Sequence, residues 1–436
     1  MKNNILSKFA KYTSMNVMGM IGLSCYILAD TFFVSKGMGA DGLAALNLAI
    51  PVYSFINGTG LMIGMGGGTA YAVALGQGNR EKADGKFNTS FMIAAVFSAV
   101  FFLCGIFFSP QITSLLGGDT EKSPRIYEMT LTYLRMILLF SPAFILNNLL
   151  QCFIRNDGSP QLSMTAMLAG SFSNIVLDYI FIFSLKMGIF GAVLATCAAP
   201  FIGIAVLLTR KSSFRLKRSR FDMKEALSVL SPGVPSLVTE VSAGLVMIIF
   251  NIIILRINGN TGVAAYGVVA NISLVVMSVF TGIAQGMQPV LSTSFGSGRK
   301  NDTSAVLRYG IITASASAVL VYITLFALAS PVTSIFNSGN HAELQMIAEK
   351  GLRIYFTACP FAALNIILAV FFSSTCREKP AQAISLLRGF ILIIPSALVL
   401  SEAFGLNGVW LALPVTELLT AAISVIILKL PGKDKI

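Results

Sequence analysis

The stretch Ser163–Ser184, SMTAMLAGSFSNIVLDYIFIFS, runs for 22 residues with a single acidic or basic side chain, Asp178. A helix crosses the hydrocarbon core of a bilayer in about 20 apolar residues, whereas a barrel strand uses about ten of alternating character. The run is too long and too continuous for a strand, and it predicts a membrane-spanning helix. Comparable runs fall at 12–34, 50–75, 88–108, 129–152, 188–209, 230–256, 264–294, 309–329, 352–375, 382–401 and 407–429. The fold class is therefore an all-α integral membrane protein with twelve transmembrane helices, numbered here spans 1 to 12 in chain order. Proline and glycine within the runs are tolerated, because neighbouring helices can satisfy a broken backbone.

Composition agrees. Of 436 residues, 55% are hydrophobic and 11% charged, and the mean hydropathy is +0.79. A soluble domain carries about 25% charged residues, so this chain cannot clothe a water-facing surface. The excess of 31 Lys and Arg over 19 Asp and Glu follows from the gathering of basic residues in cytoplasmic loops. No basic stretch is interleaved with aromatics as single-strand binding requires, so nucleic acid is not an expected partner. With both termini cytoplasmic, 23 Lys and Arg, Arg155 and Arg388 among them, fall inside and 8 outside. The six cysteines lie in or beside apolar runs without CxxC spacing and read as reduced packing residues.

The two halves repeat. At an offset of 220, Gly42, Ala44, Ala45, Ile63, Gly66, Gly76 and Gly78 meet Gly262, Ala264, Ala265, Ile283, Gly286, Gly296 and Gly298, and Pro160 meets Pro380. At 218, Leu134, Arg135, Pro142, Leu146, Asn147, Leu150 and Phe153 meet Leu352, Arg353, Pro360, Leu364, Asn365, Leu368 and Phe371. Six spans per half is an even number, so the repeat is parallel, the arrangement in which two lobes flank a central cavity. The expected division is an amino-terminal lobe over 1–209, a basic cytoplasmic linker over 210–229 and a carboxy-terminal lobe over 230–436. Segment 210–224 carries seven Lys or Arg against one acid, Asp222.

An ionisable side chain deep in a span costs roughly 2.5 to 3.5 kcal/mol on insertion scales and needs a reason to persist. Asp30 in span 1, Asp178 in span 5 and Glu240 in span 7 meet that description. Asn174 and Asp178 stand at i,i+4 on one helix face, as do Tyr26 and Asp30. Asn147, Asn148 and Gln151 add amides in span 4, and Thr196 a hydroxyl in span 6; such groups also serve as helix-to-helix glue. Two carboxylates in a low-dielectric lobe repel one another as anions, so a proton or a sodium ion is their natural companion. No nucleotide loop, zinc motif or nucleophile elbow is present, and His341 is the only histidine. The chain is not expected to be an enzyme, and transport would have to run on an ion gradient.

Ala29-Asp30-Thr31-Phe32-Phe33-Val34 followed by Gly39-Ala40-Asp41-Gly42-Leu43-Ala44-Ala45 resembles the first-helix signature of the multidrug and toxic compound extrusion (MATE) family. Asn174-Ile175-Val176-Leu177-Asp178 with Ile180-Phe181-Ile182-Phe183, and Gly188-Ile189-Phe190-Gly191-Ala192 through Thr196, resemble its fifth- and sixth-helix signatures. The resemblance implies a V-shaped pair of six-helix lobes exporting organic, mostly cationic, compounds in exchange for protons or sodium, without a cofactor. It implies a cation site, possible for Na+ as for a proton, at Asp30, Asn174, Asp178 and Thr196. Tyr26, Tyr133, Asn147, Asn148, Gln151 and Glu240 would line the pocket, Gln151 standing where Asn is expected. Span 1 departs from the family pattern in lacking a proline over 12–30, and span 10 in lacking an Asp, which locates coupling in the amino-terminal lobe.

The resulting expectation is a secondary active multidrug antiporter, acting as a monomer in the inner (cytoplasmic) membrane in contact with lipid. The alternative is a lipid or glycolipid flippase of related two-lobe architecture, which would need a basic cavity where this chain has mid-span acids.

Overall fold

The computed structural model describes residues 2–121, 123–210, 212–216, 222–337 and 341–430. Of the basic residues counted above, Lys122, Lys211, Lys217, Arg218, Arg220, Lys433 and Lys435 lie outside the described residues. No strand occurs among the described residues. Two helices are far longer than a bilayer requires: Lys2–Gly76 with 75 residues and Val234–Gly296 with 63. Each is broken once, at Gly39 (φ 67°, ψ −150°) and at Gly259 (φ 60°, ψ −155°). Glycine alone adopts that conformation without steric strain, so these two positions end span 1 and span 7 and begin spans 2 and 8.

The other spans follow in order. Span 3 is Arg80–Phe107. Span 4 comprises Pro124–Leu139 and Ser141–Asn156, bent by 50°, and span 10 comprises Ala342–Tyr355 and Cys359–Ser374. Pro142 and Pro360 occupy the first turn of each second segment, where a missing N–H is harmless but continuation of the preceding helix is blocked. Span 5, Pro160–Tyr179, continues through a π-helical turn at Ile180–Ser184, and span 6 is Gly188–Leu207. Span 9 is Lys300–Ala327. Span 11 is interrupted by a π-helical turn, Leu387–Ile391, between Glu378–Leu386 and Ile393–Phe404, and span 12 is Leu406–Lys429. Among the described residues the count of twelve matches the sequence reading.

The chain forms two compact units. One takes Met18–Val241 with Ser292–Gly298, and the other takes Met1–Val17, Ser242–Leu291 and Arg299–Ile436. Each has its own apolar core, the first centred on Tyr71, Phe153, Leu134 and Ile137, the second on Trp410, Phe250, Phe280 and Phe372. One helix crossing is made twice. In the first unit a Cβ on Gly66 would lie 2.1 Å from Val229 O, and one on Gly233 would lie 1.8 Å from Met62 O. In the second, a Cβ on Gly286 would lie 2.6 Å from Thr13 Cα, one on Gly282 2.7 Å from Val17 Cα, and Asn16 Nδ2 donates to Gly282 O at 3.1 Å. Glycine at the crossing lets backbone meet backbone, and the offset of 220 carries Gly66 onto Gly286 and Thr13 onto Gly233.

Part of the basic segment is built into the first unit. Phe214 is buried among Phe87, Phe153 and Tyr71, with ring centroids 4.2, 5.9 and 6.2 Å away. Ser213 N donates to Asp157 Oδ2 (2.8 Å), Arg215 N to Asp84 Oδ1 (3.3 Å), and Asn88 Nδ2 to Arg215 O (3.3 Å). Helix Met223–Leu230 follows, capped by Asp222 and held by Lys86, whose Nζ lies 3.4 Å from Glu225 Oε1. Deleting a buried phenyl ring costs about 3 to 5 kcal/mol. Phe214→Ala should therefore lower the thermal midpoint in detergent by several degrees. Arg215→Ala should leave it unchanged, because Arg215 makes these bonds through its backbone.

Candidate functional site

Span 5 carries Asn174 and Asp178 on one face, both fully buried, and its helix widens into the π turn directly beyond Asp178. Such one-residue expansions occur frequently at functional sites, since they re-aim side chains out of the regular ladder. The Asp178 carboxyl group is in hydrogen-bonding contact with that of Asp30 on span 1. Asp30 Oδ1 and Asp178 Oδ1 are both buried with no hydrogen-bond partner. Two carboxylates cannot bond to each other while both are anions; the contact requires a proton or another cation between them.

In the orientation that pairs donor with acceptor at both ends, the Asn174 amide donates from Nδ2 to Asp178 Oδ2 (3.0 Å) and accepts at Oδ1 from the Thr196 backbone N–H (3.2 Å). Thr196 Oγ1 donates to Ala192 O (3.1 Å) and is in hydrogen-bonding contact with Tyr133. Asp30, Asn174, Asp178 and Thr196 are thus brought into one cluster, with Tyr133 beside it.

Tyr26, one turn before Asp30, extends the cluster. Its hydroxyl lies 3.1 Å from that of Tyr53 on span 2, and Tyr53 packs edge-on against Phe144 (5.7 Å). Tyr53 feels the charges of both Asp30 and Glu240. Glu240 Oε2 in turn accepts from Asn57 Nδ2 (3.2 Å), and Asn57 Oδ1 accepts from Asn148 Nδ2 (2.8 Å). Gly58 makes this possible, since a Cβ there would lie 3.0 Å from Glu240 Cβ. Hydrogen bonds join Asp178 to Asp30, Tyr26 to Tyr53, and Glu240 through Asn57 to Asn148, and the two tyrosines between the acids feel their charges, so these groups make one polar track within the first unit. Asn147 points elsewhere, its Oδ1 buried without a partner beside Gly203. Gln151 is half-buried on span 4 and joins none of the bonds of this track.

Two members of the track, Tyr53 and Asn57, escaped the sequence reading. They stand four residues apart on one helix face of an apolar run, a spacing that is readable once span 2 is accepted. The sequence reading also passed over Glu417 in span 12, and it counted Arg388 with the cytoplasmic basic residues. Arg388 instead lies in the π turn of span 11 and pairs with Glu417 (Nη2 to Oε1, 2.6 Å). The reason is physical: a guanidinium neutralised inside a lobe carries no topological information.

The family model described as MatE matches residues 17–180 and 235–399. Over 415 residues the chain is 26% identical to "Multidrug export protein MepA" of Staphylococcus aureus (strain MRSA252), covering 93% of this chain and 89% of that protein. Over 437 residues it is 24% identical to a protein of the same name from Staphylococcus saprophyticus subsp. saprophyticus, covering 98% and 94%. Its fold is similar, with a TM-score of 0.88, 22% identity and coverage of 96% and 94%, to a structure described as the outward-facing conformation of a multidrug resistance MATE family transporter of the MOP superfamily. The chain belongs to the MatE family of membrane transporters.

Proposed function

We propose that the chain is a multidrug exporter that exchanges protons for organic, mostly cationic, compounds across the cell membrane, with both termini cytoplasmic. Two lobes, 1–209 and 230–436, rock to open alternately; the segment 210–229 joins them, with Phe214 and helix Met223–Leu230 packed on the first. The relatives named for multidrug export support the class of cargo, and the Asp30–Asp178 pair carries the assignment of coupling. A carboxyl pair that bonds only when protonated is a device with two states: loaded and neutral, or empty and negative. Loss of the proton leaves like charges in contact in a low-dielectric bundle, and that charge can attract a lipophilic cation through the Tyr26–Tyr53 bridge towards Glu240.

The orientation of Asn174 favours a proton over sodium. With its oxygen accepting from the Thr196 N–H, the orientation that satisfies both ends of the amide, its Nδ2 donor faces Asp178. Sodium would want that oxygen turned inwards, as hard cations are held by oxygen ligands.

Inverted vesicles containing the protein test the proposal, with ethidium fluorescence as the readout. An imposed proton gradient should drive uptake and an equal sodium gradient should not. Uptake driven by sodium alone would replace the proton as coupling ion, and folded protein that moves no cation under either gradient would overturn antiport.

A further inference from the structure

Glu417 of span 12 is 2% exposed and fully bonded. Its Oε1 accepts from Arg388 Nε (3.1 Å) and Nη2 (2.6 Å), and its Oε2 accepts from Asn365 Nδ2 (2.7 Å); Asn365 Oδ1 accepts from Ser424 Oγ (3.2 Å). The pair lies in the middle of spans 11 and 12, where either charge alone would be uncompensated.

The internal repeat shows what stands where the first half has its acids. Spans 6 and 12 align at an offset of 217, where Gly188 and Gly191 meet Gly405 and Gly408. Thr196 then meets Leu413. Spans 5 and 11 align at 220 at their starts and at 217 at their ends, so Asn174 meets Ile394 or Ile391 and Asp178 meets Leu398 or Pro395. Asp30, at 220, meets Phe250. Every counterpart of the first-half cluster is apolar. Among the described residues the second half puts its one buried acid a turn further along span 12, at the counterpart of Pro200, and supplies a cation from its own chain. Its π turn holds that cation, whereas the π turn of span 5 follows an acid.

We infer that Glu417, Asn365 and Ser424 form a monovalent-cation site that Arg388 keeps permanently filled, so that ion exchange is confined to the unit holding Asp30 and Asp178. The consequence for coupling rests on the exchange reading above; the site itself does not. Glu417 faces Arg388 from span 11 and the titratable side chains of Tyr355 and Cys359 from span 10. Removing the guanidinium should open the site to sodium or a proton.

Thermal midpoints of detergent-purified wild type, R388M, R388K and R388M/E417Q, taken in sodium chloride or choline chloride at pH 6 and pH 8, test this. R388M should gain a rise in midpoint with sodium or acid beyond that of the wild type; R388K, which keeps a tethered cation, should not; and adding E417Q to R388M should erase the gain. An R388M protein with only the wild-type dependence would overturn the inference. Should R388M fail to accumulate, R388M/E417Q decides, because both charges leave together. It should fold and retain the wild-type ion dependence, and a folded double variant that has lost that dependence would overturn the inference by making the pair a participant in ion binding. None of these readouts needs export, so failure of the exchange reading is separately visible.

Discussion

Asp178→Asn should yield a folded protein whose gradient-driven export falls at least about tenfold. The substituted amide can still accept from Asn174 and donate to Asp30, so the buried cluster stays bonded and the helices stay packed. It cannot lose a proton. The variant is locked in an imitation of the loaded, neutral state, and the step that changes charge disappears. No bond is lost, so the effect comes from the missing proton exchange alone, and only gradient-independent leakage should remain. Asp30→Asn should do the same, because the bond has two ends. The measurement is initial ethidium uptake into inverted vesicles at matched protein density. Export retained within twofold in both variants would remove the carboxyl pair from coupling altogether.

Much of this was legible before any coordinates. Continuous apolar runs located all twelve spans, because a bilayer fixes helix length more tightly than water does. The cost of burying a charge drew attention to Asp30, Asp178 and Glu240, and the offset of 220 disclosed the repeat. What escaped did so for identifiable reasons. Hydropathy sees neither the hinges at Gly39 and Gly259 as breaks within one assigned helix nor the π turns, since neither changes composition. Tyr53 and Asn57 are ordinary residues in an apolar run until a facing Tyr26 and Glu240 give them partners. Arg388 failed the other way: charge counting assumes that every basic residue marks a loop, and an arginine neutralised by Glu417 breaks that assumption. Phe214 was read as part of a basic tether, because only tertiary packing shows that Tyr71, Phe87 and Phe153 leave a hole for it. At the same offsets the second half has Leu291, Leu307 and Phe371, one ring where the first half has three.

The position of Glu240 depends on a contact that a single methyl group should disrupt. Gly58, Met62 and Gly66 on span 2 face Glu240, Gly233 and Val229 in antiparallel order, and the crossing is backbone against backbone at Gly66 and Gly233. A Cβ on Gly66 would stand 2.1 Å from Val229 O and 3.0 Å from Gly233 N. Neither atom is the end of a flexible side chain, so the helices themselves must part. Overpacking of this kind costs about 1 to 3 kcal/mol and at times more, against a total stability of roughly 5 to 15 kcal/mol. Gly66→Ala should therefore lower the thermal midpoint and the monodisperse fraction on size exclusion. It should also weaken export in whatever protein remains folded, because Glu240 sits two turns beyond Gly233 and would be carried away from Asn57. Gly267→Ala supplies the contrast. No atom beyond its own turn of helix lies within 4 Å of its added Cβ, and a helical glycine replaced by alanine gains about 0.5 to 1 kcal/mol, so that variant should be as stable as the wild type or more so. If the two substitutions behaved alike, close approach at Gly66 would not be what fixes Glu240 against span 2.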